Sequence, residues 1–155
     1  MCTSLIVDFS RVLIFSHEDV ESLNEHHRKL SQDIMNYRVL DHFYLNDELL
    51  RYLDGIKENI DVYLFSDGEL HELPDINSRV SRIFKKVLTV EAIGYKKTDP
   101  EAYRHLVKLL SIDPAATIFL DDKPSNVAAA AIIGIKAIRF ENNEQALNSL
   151  QNLIK

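Results

Sequence analysis

The residues of this sequence best suited to chemistry are acids, hydroxyls and lysines placed after short apolar runs or before a helical pattern. Eight side chains make up the set: Asp8, Ser10, Ser66, Asp67, Lys96, Lys97, Asp121 and Asp122. Carboxylates packed together repel one another strongly, and a hard divalent cation with oxygen ligands relieves that repulsion. Because Mg²⁺ keeps some of its waters and binds substrate phosphate, the set predicts Mg²⁺-dependent chemistry on a phosphate group.

Each residue type in this set has a use in phosphate chemistry. An aspartate can act as a nucleophile by forming an aspartyl-phosphate, and a cation neutralises charge on the transferring group. A lysine can hold that aspartate and a phosphoryl oxygen together, and a serine can donate to the phosphate. Singly, each has an ordinary explanation: an aspartate after a strand caps a helix, Ser66 begins a turn, and a lysine is solvated. The joint pattern favours the chemical interpretation.

The elements that must position these groups are five short apolar runs separated by helical patterns. We expect strands at residues 4–9, 61–65, 86–90, 117–120 and 136–140. Continuous apolar runs of this length are typical of strands buried on both faces, and their alternation with helices predicts a parallel sheet. The predicted fold class is α/β: a doubly wound, mainly parallel five-stranded sheet with helices on both faces. In such sheets, ligands bind at the carboxyl ends of the strands.

Helix starts and one insertion complete the expected organisation. Asp99 followed by Pro100 predicts a helix start, because Asp accepts free N–H groups and Pro loses nothing at the first helical position. We expect Asn77 to cap a second helix. Residues 1–155 are interpreted as a single domain, with a small helical cap inserted at about residues 16–45.

Composition excludes several classes of partner. The formal net charge is -6, which argues against nucleic acid or an anionic membrane as the main partner. No apolar run approaches the ~20 residues of a membrane span. The single cysteine, Cys2, excludes an intrachain disulfide and fits a reducing compartment, so we expect a cytoplasmic location. A basic group, Arg79, Arg82, Lys85 and Lys86, is interpreted as an ordinary solvated face.

Four segments of the chain together resemble the motifs of the haloacid dehalogenase (HAD) superfamily. The first motif, usually Asp-x-Asp-Gly after a hydrophobic strand, resembles residues 5–13; the second, third and fourth resemble residues 65–68, 97–103 and 118–127, followed by Ala130 and Gly134. The match covers nearly the whole chain apart from about residues 16–45, and the fourth motif is its most specific part.

The resemblance implies a role for each candidate residue. Asp8 would be the nucleophile and a metal ligand, Asp122 a metal ligand, and Asp121 would bind or support the ion. Lys97, rather than Lys96, would hold the phosphate and Asp8. The remaining implied contacts are to phosphate or Mg²⁺: Ser66 and Asp67 near phosphate, and Ser10 near phosphate with its backbone carbonyl on Mg²⁺.

Two departures from the family pattern bear on function. Ser10 stands where the family has its general acid and base, whose help is typically worth about 10²–10⁴-fold in rate, and Arg11 stands where it has glycine. The cap is small, which favours a bulky substrate or a neighbouring subunit of a homo-oligomer completing the pocket. Four cap histidines, His17, His26, His27 and His42, lack ligand spacing and are interpreted as solvated or partly packed.

Two functional hypotheses remain open from the sequence. The first is a phosphomonoester hydrolase that uses Asp8. The second is a catalytically weak or inactive binding or regulatory domain that keeps the fold. Ser10 and the small cap favour this second hypothesis. A phosphate-receiver domain is excluded because its paired acids follow the first strand, whereas Asp121 and Asp122 come after the lysine. Nothing marks a halide pocket.

Overall fold

The computed structural model describes residues 1–155, and its strands follow the predicted apolar runs. Seven strands form: β1 (Ser4–Val7), β2 (Ile14–Ser16), β3 (Phe43–Leu45), β4 (Asp61–Ser66), β5 (Lys86–Thr89), β6 (Thr117–Asp121) and β7 (Lys136–Arg139). Five of them make a parallel sheet in the order β5-β4-β1-β6-β7, while β2 and β3 pair as a separate antiparallel ribbon. The predicted parallel sheet is confirmed, with each strand end within a residue or two of its expected place.

Eight α-helices connect or cover these strands. They are α1 (Leu23–Asp33), α2 (Val39–His42), α3 (Asp47–Ile56), α4 (Pro74–Val80), α5 (Val90–Ile93), α6 (Pro100–Leu110), α7 (Pro124–Ile132) and α8 (Asn143–Ile154). Two short 3₁₀ turns, Leu70–Glu72 and Pro114–Ala116, lie between them. No helix in the structure has both the length and the apolar character needed to cross a bilayer.

The sheet is buried on both faces because side chains alternate in direction along each strand. Along β1, Leu5 and Val7 point to one side, where α3, α4, α8 and the insertion cover the sheet, while Ile6 points to the other. On that second side, Tyr103 of α6 packs edge-on against Phe65 and Phe119 at centroid distances of 6.1 and 5.1 Å. The two apolar layers leave only the strand ends available for polar groups.

One predicted helix start is confirmed and one is wrong. The Asp99 carboxylate accepts a hydrogen bond from the backbone N–H of Glu101 at 2.9 Å, and Pro100 is the first residue of α6. Asn77 does not cap a helix: α4 starts earlier, at Pro74, and Asn77 lies within it. Pro74 explains the shift, because its fixed φ suits the first helical position and its missing N–H needs no partner there.

The insertion has fewer helical residues than the sequence predicts, and it contains part of the ribbon of β2 and β3. Within the insertion, which was expected to be helical, α1 covers only Leu23–Asp33, with Ser22 accepting a hydrogen bond from the Glu25 N–H at 3.2 Å as its cap. The preceding residues form β2 and a loop. In the ribbon, Phe15 pairs with Tyr44 and the two rings stack at 5.6 Å. Strands of three residues are too short to show alternation in a sequence. The assignment of residues 1–155 as one domain with a cap at about 16–45 stays a prediction.

Candidate active site

The centre of the site is a buried lysine between two carboxylates. Asp8 directly follows β1, Asp121 ends β6, and Lys97 precedes α6; they are 4%, 0% and 4% exposed. The Lys97 ammonium donates to Asp8 Oδ1 and, at 3.4 Å, to Asp121 Oδ2. Because β1 is the central strand and β6 its neighbour, their carboxyl ends bring the two acids together.

Local contacts decide that Lys97, and not Lys96, enters the site. The Tyr103 hydroxyl donates to the backbone carbonyl of Lys97 at 2.8 Å, which fixes the chain just before α6. The Lys97 ammonium also lies 5.0 Å from the centre of the Phe65 ring, where a cation is attracted to the ring face. Lys96 is exposed to solvent. Tyr103 was not among the predicted site residues, although it lies in the third motif.

Asp121 is held by donors on both of its oxygens. The Lys123 N–H donates to Oδ1 at 2.8 Å, and the Asn126 side chain donates to Oδ1 and Oδ2 at 3.2 and 3.1 Å. Asn126, on α7, is 3% exposed. Since Lys97 also contacts Oδ2, few lone pairs of Asp121 remain free. Asn126 was missed as a site residue; its place in the fourth motif was the available signal.

The nucleophile candidate and Asp122 face a small polar cavity. Carboxylate oxygens of Asp8, Asp121 and Asp122 lie within 4.8 Å of one another. Asp8 and Asp122 line a cavity of ≈ 80 Å³ that Asp121 does not reach. Its other lining residues are Ser10, Arg11, Glu21, Ser22, Leu23, Asn24, Asp67, Lys123 and Asn126. Of the three acids, Asp8 and Asp122 are therefore the two that line the cavity.

Burial and crowding of like charges alter the protonation of this cluster. Burial raises the pKa of Asp8 to about 8; the Lys97 charge opposes this rise and the Asp121 charge adds to it. Burial and the neighbouring Asp121 charge also raise the pKa of Asp122. Burial lowers the pKa of Lys97, but the carboxylates around it outweigh that effect and raise it. Asp8 therefore keeps a proton below about pH 8 when no cation is bound.

The second predicted motif lies beside the cavity and is engaged in a turn. The Ser66 hydroxyl donates to the Gly68 carbonyl at 3.2 Å and accepts from the Gly68 N–H at 3.3 Å. Ser66 is 2% exposed, and it does not line the cavity that contains Asp8. Asp67, in contrast, is exposed and does line it. The phosphate-binding roles of Ser66, Asp67 and Ser10 stay predictions.

Arg11 joins the core to the insertion. Its backbone is left-handed, with φ of 61°. The glycine that the family pattern has at this position adopts that conformation freely, whereas it is strained for other residues. Its guanidinium donates to the backbone carbonyls of Val20 and Glu21, the latter at 2.8 Å. These contacts hold the loop before α1 over the cavity.

The four cap histidines lie away from the acidic cluster. His26 Nε2 and His42 Nδ1 approach Glu18 at 3.4 and 3.9 Å. His27 is buried and its Nδ1 lies 2.9 Å from the Tyr37 hydroxyl. None of the four lines the cavity that contains Asp8. The partly packed interpretation agrees with these positions.

Comparison with known families identifies the class of this protein. A model of haloacid dehalogenase-like hydrolases matches residues 8–134. The chain belongs to this family. A flavin mononucleotide hydrolase of Arabidopsis thaliana is 30% identical over 111 residues, or 66% of this chain and 45% of the relative. A sesquiterpene phosphatase of Aspergillus oryzae is 28% identical over 109 residues, or 68% of this chain and 54% of the relative. The chain spans about half the length of these curated relatives.

Solved structures confirm the fold inferred from the sequence. A HAD family enzyme of Bacteroides thetaiotaomicron, solved with magnesium and inorganic phosphate, superposes with a TM-score of 0.73 at 20% identity, covering 95% of this chain and 99% of that one. A protein of Porphyromonas gingivalis, described as a predicted HAD-like family hydrolase, gives 0.73 at 18% identity, covering 100% and 98%. The family resemblance and the α/β fold class are thus both confirmed.

Proposed function

We propose that this HAD-like hydrolase cleaves phosphate monoesters in a Mg²⁺-dependent reaction with Asp8 as the nucleophile. The observation that carries the proposal is the buried Lys97 ammonium between Asp8 and Asp121, with Asp122 beside them at the same cavity. Removing a lysine and its carboxylate partners from water costs several kcal/mol per ion. The attraction between the charges offsets that cost only when the geometry is favourable. The burial of these groups is therefore better explained by a chemical role than by a gain in stability.

The proposed reaction uses these groups in two steps. A carboxylate oxygen of Asp8 attacks phosphorus, the bond from phosphorus to the ester oxygen breaks, and the leaving oxygen takes a proton from solvent water. Water then attacks phosphorus and gives up a proton to solvent, the bond from phosphorus to Asp8 breaks, and inorganic phosphate leaves. Lys97 favours the ionised, nucleophilic form of Asp8 and can also contact a phosphoryl oxygen. Asp121 and Asn126 keep Lys97 and the start of α7 in place.

The donor set fits Mg²⁺, a hard cation that takes oxygen ligands. Asp8 and Asp122 would hold the ion, with the backbone carbonyl of Ser10 as the third predicted ligand. Asp121 fits a supporting role better, because N–H donors already occupy its oxygens. Bound Mg²⁺ would neutralise the charge that develops on the phosphoryl oxygens. The Bacteroides thetaiotaomicron relative, solved with magnesium and inorganic phosphate, supports this assignment.

The direct test compares Asp8→Asn with the native protein on an aryl phosphate in the presence of Mg²⁺. We expect Asp8→Asn to abolish turnover and to prevent phosphorylation of the protein, since the amide is not a nucleophile. Asp75→Asn is the matched control: it removes an exposed carboxylate on α4 and should leave turnover unchanged. Activity that survives Asp8→Asn would exclude the proposed mechanism.

Ser10 makes the proposal sharper, because a serine is a poor proton donor to a leaving alkoxide. Aryl esters, whose phenolate leaves without a proton, should turn over faster than alkyl esters by about 10²-fold or more. Ser10→Asp should raise kcat for alkyl esters and change that for aryl esters little. If no ester turns over even with Ser10→Asp, and Asp8 is never phosphorylated, the chain is the inactive binding or regulatory domain that Ser10 first suggested.

The proposal also includes a substrate class, an assembly and a location, each stated more broadly than the reaction. We expect a phosphorylated small molecule or a bulkier phosphorylated substrate, and no nucleic acid or membrane partner. The small cap favours a homo-oligomer, and the single cysteine favours a cytoplasmic location; both stay expectations.

A further inference from the structure

A second cavity, the ribbon cavity, lies between the ribbon of β2 and β3 and the first residues of α3 and α8. Its volume is ≈ 430 Å³, which is in the range of about 300–1,000 Å³ that small-molecule sites usually have. No residue that lines it also lines the cavity that contains Asp8. The ribbon cavity is therefore separate from the site described above and is large enough for a small organic molecule.

Three aromatic side chains form one wall of the ribbon cavity. Phe15 and Tyr44 are direct partners across the ribbon, and their rings stack at a centroid distance of 5.6 Å with an angle of 22° between them. The Phe140 ring lies 6.3 Å from that of Phe15. Tyr44 is 46% exposed, so much of this apolar surface faces water. Cations are attracted to the faces of such rings within about 6 Å of the centroid.

The charged residues that line the ribbon cavity are all acids: Asp47, Glu48 and Glu141. Arg79, from outside the cavity, contacts Asp47 at 2.7 Å and neutralises its charge. Glu48 accepts a hydrogen bond from the Asn143 amide at 2.7 Å, which leaves its charge in place. All three acids are exposed. The cavity thus keeps the negative charges of Glu48 and Glu141 beside its aromatic wall.

Two basic side chains adjoin the ribbon cavity without lining it. The His17 ring stacks on Tyr44 at 4.9 Å. Arg139 precedes Phe140, but its guanidinium donates to the backbone carbonyl of Asp122 at 3.4 Å. Neither residue is among those that line the cavity, so neither changes the sign of the charge that a ligand would meet there.

The combination of aromatic rings and carboxylates restricts the ligand. An anion would be repelled by Glu48 and Glu141, and a neutral apolar molecule would gain nothing from them. An organic cation uses both features, because its charge is attracted to the carboxylates while its apolar groups pack on the rings. Aromatic sites of this kind are a recurring means of binding quaternary ammonium ions.

We propose that the ribbon cavity binds an organic ammonium ion, with its charged head group near Glu48 and Glu141 and its apolar part against Tyr44. This inference does not depend on the proposed function, because the two cavities have no lining residue in common. Its test therefore needs no phosphatase activity.

Two probes of the same shape separate charge from apolar contact. Choline carries a trimethylammonium group, and 3,3-dimethylbutan-1-ol has a neutral carbon in place of its nitrogen. Titrations followed by the backbone amide signals in NMR spectra locate and measure weak binding. We expect choline to bind about tenfold more tightly than the alcohol, and to shift signals of residues 44–48 and 140–143.

Substitutions of exposed residues test each half of the ribbon cavity. Tyr44→Leu keeps an apolar side chain but removes the ring, so choline affinity should fall about fivefold while affinity for the alcohol stays within about twofold. Glu141→Gln should also weaken choline about threefold and make its binding less sensitive to NaCl. Glu144→Gln is the matched control, because Glu144 is an exposed acid on α8 outside the cavity. It should bind choline like the native protein.

Three results would overturn the proposal. The first is equal affinity of the native protein for choline and for the alcohol. The second is a set of choline-induced shifts centred on Asp67 and Asp122 instead of the ribbon cavity, which would indicate attraction to the acids of the other cavity. The third is equal choline affinity in Glu141→Gln and Glu144→Gln. If Tyr44→Leu does not fold, this last comparison still decides the outcome.

Discussion

The edge of the sheet where Asp8, Lys97 and Asp121 lie, the core edge, differs from the insertion in how completely its buried polar groups are hydrogen-bonded. At the core edge, Asp8, Lys97 and Asp121 are almost fully buried and bonded to one another. In the insertion, one polar atom stays unpaired: Asn24 Oδ1, on α1, is closed to solvent and has no hydrogen-bond partner, whereas no buried side-chain atom of the three core residues lacks one.

The difference bears on the reaction. A group that reacts must be held in place before the substrate arrives, which requires that its neighbours are already bonded to it. The core edge of this protein has this property, since Lys97 bonds to Asp8 and Asp121 without a ligand. The unpaired Asn24 Oδ1 of the insertion does not have it.

The largest expected effect is the loss of the central cation from the core edge. Lys97→Met leaves Asp8 and Asp121 buried without their counter-charge, so the free energy of unfolding should fall by about 3–5 kcal/mol. Urea unfolding at pH 8 without Mg²⁺ measures it. Lys96→Met, one residue earlier and exposed, should change stability by less than about 0.5 kcal/mol. Similar losses in both variants would show that the two lysines are not distinguished as the structure indicates.

The second prediction concerns protons and Mg²⁺ at the same core edge. The pKa of Asp8 is raised from 3.8 to about 8, so the apo protein keeps a proton there below that pH. Its stabilising contribution is complete below pH 3.8 and is lost as the pH rises toward 8. Because Mg²⁺ must displace this proton, its affinity should increase by up to about tenfold per pH unit between pH 6 and 8 and then level off.

Calorimetric titration with Mg²⁺ at several pH values measures this linkage. Asp8→Asn provides the control, since it carries no ionisable group at that position and should bind Mg²⁺ weakly with a flatter pH dependence. An Mg²⁺ affinity that does not change with pH in the native protein would contradict the assignment of a proton to Asp8 in the apo protein.

The smallest expected effect is in the insertion. Arg11→Gly removes the strain of a left-handed backbone at a residue with a side chain. It also removes the two hydrogen bonds that the Arg11 guanidinium donates to the loop before α1. These changes oppose each other, so we expect the free energy of unfolding to change by less than about 1 kcal/mol. Hydrogen exchange of residues 20–24 should nevertheless become faster, while that of β1 and β6 stays the same. Equal protection of the loop in both proteins would show that Arg11 does not restrain it.

Much of the fold and most of the acidic set could be predicted because the signals are local. Strands buried on both faces need continuous apolar runs, and the residue after such a run lies at the strand end in any parallel sheet. Asp8, Asp121 and Asp122 follow from that rule alone. Asp99 and Pro100 carry a helix start within two adjacent residues, and the structure confirms it.

Other features do not follow from one residue type or one short run. Asn77 was expected to cap a helix, yet Pro74 starts it earlier, because a capping residue type has no effect without the backbone conformation of a cap. The ribbon of β2 and β3 joins segments almost thirty residues apart, each too short for a recognisable period.

By itself, the sequence determined the family, the sheet and the candidate acids, since these depend on patterns along the chain. The family resemblance already favoured Lys97 over Lys96, but only the tertiary structure shows what holds Lys97 between Asp8 and Asp121, and that Asn24 reaches Gly68. These contacts join residues that lie far apart in the chain. The Tyr103 hydroxyl donates to the Lys97 carbonyl, and the neighbouring ends of β1 and β6 place the two carboxylates around the Lys97 ammonium.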